Sequence, residues 1–126
     1  MIINDPAIVA EVREAFDRYE AALLRNDVAV LDAFFVERAD TIRYGVSEVQ
    51  YGLDEIRAFR SQQRPFDRDL DRLAIVTYGR DFAIASTLFH RPDFPDQIGR
   101  QQQSWVRTEQ GWRIAAAHVS MMPDPA

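Results

Sequence analysis

Apolar residues at Ile8, Val12, Ala15, Phe16, Tyr19, Ala22 and Leu23 fall three or four positions apart, the spacing of one buried face of a helix. They predict a long amphipathic helix over 6–25. Asp5 is a good N-cap, Pro6 suits the first helical position, and Asn26 can close the C-terminus in a left-handed conformation. Asp27 then opens a shorter helix that turns Val28, Leu31, Phe34 and Phe35 toward the core. The run Thr41-Ile-Arg-Tyr-Gly-Val46 reads as a strand, and Tyr51-Gly52 closes a second short strand or a turn. Leu53, Ile56 and Phe59 share a face behind Asp54 and Glu55, which favour a helix N-terminus; Pro65 bounds the far end of this third helix.

From about Leu70 the rhythm changes to strands, over 73–78, 82–90, 98–108 and 112–121. Gly79-Arg80 and Glu109-Gln110-Gly111 are hairpin signals, while residues 92–96 form a longer connection. Helices first and an antiparallel meander afterwards predict an α+β fold, with three N-terminal helices packed on a curved, mostly antiparallel sheet. One domain over 1–122 and a short tail over 123–126 are expected. A strongly curved sheet wrapped around a long helix forms a cone, and its mouth is a natural small-molecule pocket.

Composition narrows the chemistry. The 126 residues contain no cysteine and two histidines, and all 15 basic side chains are arginine. Thiolate nucleophiles, disulfides and thiolate zinc sites are excluded, as are lysine Schiff bases and a P-loop lysine. No metal and no cofactor are expected. A net charge of −5 argues against nucleic acid as the main partner, because such binding neutralises phosphates with a basic surface. No apolar run approaches membrane-spanning length, and the first residues lack a secretory signal pattern, so a cytoplasmic location with no membrane partner is expected.

Four places could carry chemistry. Tyr19 lies on the apolar stripe of the first helix, where its hydroxyl can reach a backbone carbonyl or stand in the pocket as a proton donor. Arg43 is flanked by apolar neighbours in its strand; pointing outward it is solvated, and pointing inward its planar fork can hold a carboxylate. The strand Gly99-Arg-Gln-Gln-Gln-Ser-Trp-Val106 splits by alternation into Arg100, Gln102 and Ser104 on one face and Gln101, Gln103 and Trp105 on the other. Arg100 and Gln103 are candidate ligand-binding residues from this strand, since guanidinium and amide groups match the edges of ureas and carboxylates. His118 shares the parity of Trp112, Ile114 and Ala116 and is a candidate binding residue; His90 reads as an exposed strand end. The alternating run of Asp67, Asp69 and Asp71 with Arg68 and Arg72 reads as a solvated charge run. Arg57, Arg60 and Arg64 line one side of the third helix, placed to pair with that run or with a neighbouring subunit.

Tyr19-Glu-Ala-Ala-Leu, Thr41-Ile-Arg-Tyr-Gly45, Tyr51-Gly52, Ile56-Arg-Ala-Phe-Arg60, Gly99 to Arg107 and Gly111 to Ser120 occur in this order along the chain. Together they resemble the AtzH-like, or oxalurate-catabolism, proteins of the NTF2-like (cystatin-like, SnoaL-like) superfamily. The resemblance implies a cone fold and a homodimer working beside amidase-type enzymes in the breakdown of small ureido acids. It implies a cofactor-independent hydrolase or decarboxylase acting on a small anionic carboxylated urea, with Tyr19 and Arg43 as its catalytic pair. The alternative is a non-catalytic dimeric module that binds a small ligand or assists an amidase. A cone-fold isomerase or dehydratase would need an inward carboxylate base, and no acidic residue sits convincingly on an inward apolar face.

Overall fold

The computed structural model describes all residues, Met1 to Ala126. Asp5 caps helix α1 (Pro6–Arg25) by accepting from the Ala7 N–H at 3.0 Å, and Asn26 ends it with φ 51°, the left-handed cap. The apolar stripe is buried as expected, from Ile8 to Leu23. Asp27 caps α2 (Val28–Ala33) through its side chain, and Phe34 and Phe35 follow it into the core. Helix α3 (Leu53–Arg60) starts at Gly52, whose φ of 87° and close approach to the Ala39 carbonyl leave no easy room for a side chain.

Strands β1 (Ile42–Tyr44), β2 (Val49–Tyr51), β3 (Asp69–Tyr78), β4 (Phe82–His90), β5 (Gln97–Thr108) and β6 (Gly111–Pro123) form one six-stranded sheet in the order β2-β1-β6-β5-β4-β3. The meander β3 to β6 is antiparallel throughout, and β6 runs two residues further than the apolar pattern marked. The one parallel pairing joins β1 to β6, which places Arg43 opposite Ala117 and makes the sheet mixed. Trp105, Phe16, Leu31, Ile56 and Ile114 fill the space between the concave face and the helices. Tyr19 meets Phe34, Phe35 and Trp105 edge-on, at centroid separations of 5.9, 6.1 and 6.4 Å.

Two features of the sheet decide which side chains face inward. On β5 the parity is that of Trp105, so Gln101 and Gln103 are buried while Arg100 and Gln102 are exposed. On β6 a bulge intervenes: Ser104 pairs with Ala116 but Trp105 pairs with Ile114, leaving Ala115 as the extra residue. The bulge shifts the parity by one. Trp112 and Ile114 face the core, then Ala117 does, and His118 turns outward.

Candidate functional site

Between α1, α3 and the concave sheet lies a cavity of about 560 Å³, the size of a small-molecule site. Tyr19 reaches it from α1, Arg43 from β1, Arg60 from α3, and Gln101 and Gln103 from β5. Arg68, just ahead of β3, closes another wall. Tyr19 combines both roles considered for it, because its ring is core and its hydroxyl, instead of reaching a backbone carbonyl, accepts from Arg60 Nη2 at 2.6 Å. No hydrogen bond within the protein takes the phenol proton, so it is free to be donated.

Arg43 points inward and is buried at 7% exposure, with its guanidinium stacked 4.6 Å over Phe59. Its Nη1 donates to Glu48 Oε1 at 2.9 Å and to Gln50 Oε1 at 2.8 Å. Burial pushes the Glu48 carboxyl up, but hydrogen bonds from Arg43 and from the Ser47 N–H outweigh it and hold the group below its ordinary 4.5. The stability this pair contributes is therefore present above about pH 4.5 and is lost as pH falls through the lower folded-state value. At neutral pH Glu48 cancels the charge of Arg43 without occupying its whole fork. Glu48→Gln removes that cancelling charge, so any small carboxylate that the fork of Arg43 can hold should bind the variant about 3- to 10-fold more tightly. Calorimetric titration of both proteins checks this.

Two donor-only neighbours fix the amide orientations on β5. The Trp105 indole donates to Gln103 Oε1 at 3.1 Å, and Arg68 Nη2 donates to Gln101 Oε1 at 3.1 Å. Neither indole nor guanidinium can accept, so each glutamine must turn its oxygen to that neighbour and its NH₂ away. The Gln101 NH₂ is buried with no partner. Arg68 itself forms a two-bond pair with Glu20, at 2.8 and 2.6 Å, and stacks 4.6 Å over Phe89. Phe89 in turn lies flat against Gly99, where a Cβ would fall 2.1 Å from the ring. At the mouth, Arg91 stacks on Phe66 at 4.1 Å and forks onto Asp93.

Five arginines thus line one cavity, Arg43, Arg60, Arg64, Arg68 and Arg91, against two acids, Glu48 and Asp93, in a chain of net charge −5. Both acids are tied to arginines. No three His, Asp or Glu side chains come together in a group able to hold a metal ion.

The structure gathers Tyr19, Arg43 and Gln103 around this cavity and leaves Arg100 and His118 out of it. Arg100 sits on the outer sheet face because Trp105 takes the opposite parity inward; it donates to Ser120 Oγ at 3.1 Å. His118 is outside because of the bulge at Ala115, and stacks edge-on with Tyr44 at 6.0 Å. Arg68 is no member of a solvated run, and Arg60 pairs with neither the acidic segment nor a surface carboxylate. Of the α3 arginines, Arg57 alone makes salt bridges, to Asp54 and Glu37. Arg60 was legible as a member of the Leu53–Ile56 stripe, seven residues after Leu53.

A sheet curled around one long helix, with a small cavity at the open end, defines the NTF2-like, cystatin-like fold. Residues 1–125 match the AtzH-like family, and the chain belongs to it. It is 51% identical to a crystallised protein with unknown function from Pectobacterium atrosepticum, covering 95% of this chain and 94% of that one at a TM-score of 0.92. A cystatin-like fold protein from Burkholderia xenovorans is 43% identical over 99% of both chains, with a TM-score of 0.95. A putative dehydratase of the NTF2-like family from Streptomyces avermitilis, 17% identical over 96% of this chain and 99% of that one at a TM-score of 0.76, shares the fold alone. No curated protein matches the chain. No helix is long and apolar enough to cross a membrane.

Proposed function

We propose that this protein removes CO₂ from a small N-carboxylated urea without a cofactor, a step of ureido-acid breakdown. The observation that carries the reading is the polarity of the cavity lining. Among the buried residues of that lining the free polar groups are donors, the Tyr19 O–H, the unpaired parts of the guanidiniums and the NH₂ groups of Gln101 and Gln103, and the two acids of the cavity are already paired. Such a lining suits a ligand made of acceptors, as carboxylate and urea oxygens are.

In the reaction, the bond between the urea nitrogen and the carboxylate carbon breaks, its electron pair stays on nitrogen, and CO₂ departs. Tyr19 gives its phenol proton to that nitrogen. The phenolate left behind is held by Arg60 Nη2, already 2.6 Å away, and regains a proton from water. Arg43 orients the departing carboxylate with the part of its fork that Glu48 and Gln50 leave free. Because Glu48 offsets its charge, Arg43 can place the carboxylate without stabilising that anionic ground state more than the transition state. Hydrolysis of a urea C–N bond would need a water activated by a base, and both cavity acids are tied up, so decarboxylation is the better-supported step.

Incubating the purified protein with allophanate or carboxylated biuret, and following CO₂ and ammonia separately, tests this. CO₂ release well above the buffer rate, without matching ammonia, is expected. The pairing of both acids also favours a second reading, a holder of the same ligands that assists an amidase. That reading predicts thermal stabilisation by ureido-carboxylates with CO₂ release at the buffer rate.

A further inference from the structure

Three guanidiniums are buried in the cavity wall, and two of them are neutralised within the protein. Arg43 is paired with Glu48 and Arg68 with Glu20. Arg60, only 4% exposed, makes no salt bridge; its one hydrogen bond goes to the neutral Tyr19 hydroxyl, and its Nε is buried without a partner. Asp32 lies close enough to feel its field but does not bond to it, and the Asp32 carboxyl is itself pushed up by burial. Burial, together with the nearby charges of Arg43 and Arg68, works against the Arg60 cation. A buried charge with no carboxylate bonded to it is costly and is rarely kept so. The second orphan of the same wall is the Gln101 NH₂, also a donor, on a residue 4% exposed.

We infer that Arg60 supplies the net positive charge that selects an anionic ligand, with the Gln101 NH₂ as a neighbouring donor, and that Arg43 orients the ligand without selecting its charge. The inference rests on the cavity being a site for ureido-carboxylates. It moves charge selection away from the strand arginine, which looks the natural clamp, to a helix arginine that touches Tyr19.

The test compares two probes by calorimetric titration, oxalurate and its uncharged amide, oxaluramide. The wild-type protein is expected to prefer oxalurate by about tenfold or more. Arg60→Gln should lower oxalurate affinity by about 30-fold and leave the two probes bound alike. Arg60→Lys keeps the charge but not the fork, so it should bind both probes more weakly and still prefer oxalurate. The double variant Arg43→Gln/Glu48→Gln removes a neutral pair and should also keep the preference. Ligand-free Arg60→Gln should melt no lower than wild type, since it removes a buried charge that no salt bridge holds; a merely structural arginine would lower the melting temperature. If the wild type binds both probes alike, the reading of the cavity fails. If the wild type discriminates and Arg60→Gln still does, while the double variant does not, the cavity reading stands and the assignment to Arg60 is overturned.

Discussion

Replacing Tyr19 by Phe is expected to cut turnover of a carboxylated urea by about 10²- to 10³-fold, the usual worth of a positioned general acid. The ring stays, so the edge-on packing with Phe34, Phe35 and Trp105 survives and the chain folds. What disappears is the only phenol proton in the cavity and the partner of Arg60 Nη2. Losing that partner costs about 1–3 kcal/mol of stability, a modest effect beside the kinetic one. Circular dichroism and a steady-state CO₂ assay on the same preparation separate the two. Binding of oxalurate should change far less than turnover, because a proton donor acts mainly in the transition state.

Glu20→Ala carries the largest expected stability effect. It strips the buried Arg68 of its only carboxylate, and breaking such a pair from one side costs about 3–5 kcal/mol. For a chain of this size the melting temperature should fall by about 10 °C or more. Replacing both partners, Glu20→Leu with Arg68→Met, should recover most of that loss, since an apolar pair can fill the space. The recovered protein should still bind oxalurate poorly. Arg68 is the group that holds the Gln101 oxygen and so aims its NH₂, and methionine cannot do that. Thermal unfolding and titration of the single and double variants distinguish the stabilising role of the pair from its aiming role.

The local signals of the chain read through to the fold. The caps at Asp5, Asn26 and Asp27, the three helices and the hairpin turns all stand where pattern and turn chemistry place them. The site was legible where a side chain shares an unbroken periodicity with large apolar neighbours. Tyr19 travels with the α1 stripe; on β5 alternation separates Gln103 from Arg100 but leaves the inward face open until the burial of Trp105 settles it. That burial puts Arg100 outside, because an indole as large as Trp105 fixes the inward set. His118 was lost to one extra residue, Ala115, within a run of three alanines that gives no sign of where the register slips. Arg68 had no local signal at all, because its partner Glu20 is 48 residues away and only the assembled sheet brings them together. The inward turn of Arg43 likewise depends on the pairing of β1 with β6, a contact across more than half the chain.

The opening chemistry of an arginine-only, cysteine-free chain now has a location. Five of its 15 arginines line one cavity, and one of them, Arg60, is buried there without a salt bridge. The most direct measurement follows allophanate labelled with ¹³C at the carboxylate by NMR, with wild-type protein at neutral pH. The label is expected to appear as CO₂ and bicarbonate, with one urea formed per label released, faster than in buffer. A label that leaves at the buffer rate while the protein binds the compound would contradict catalysis in this cavity.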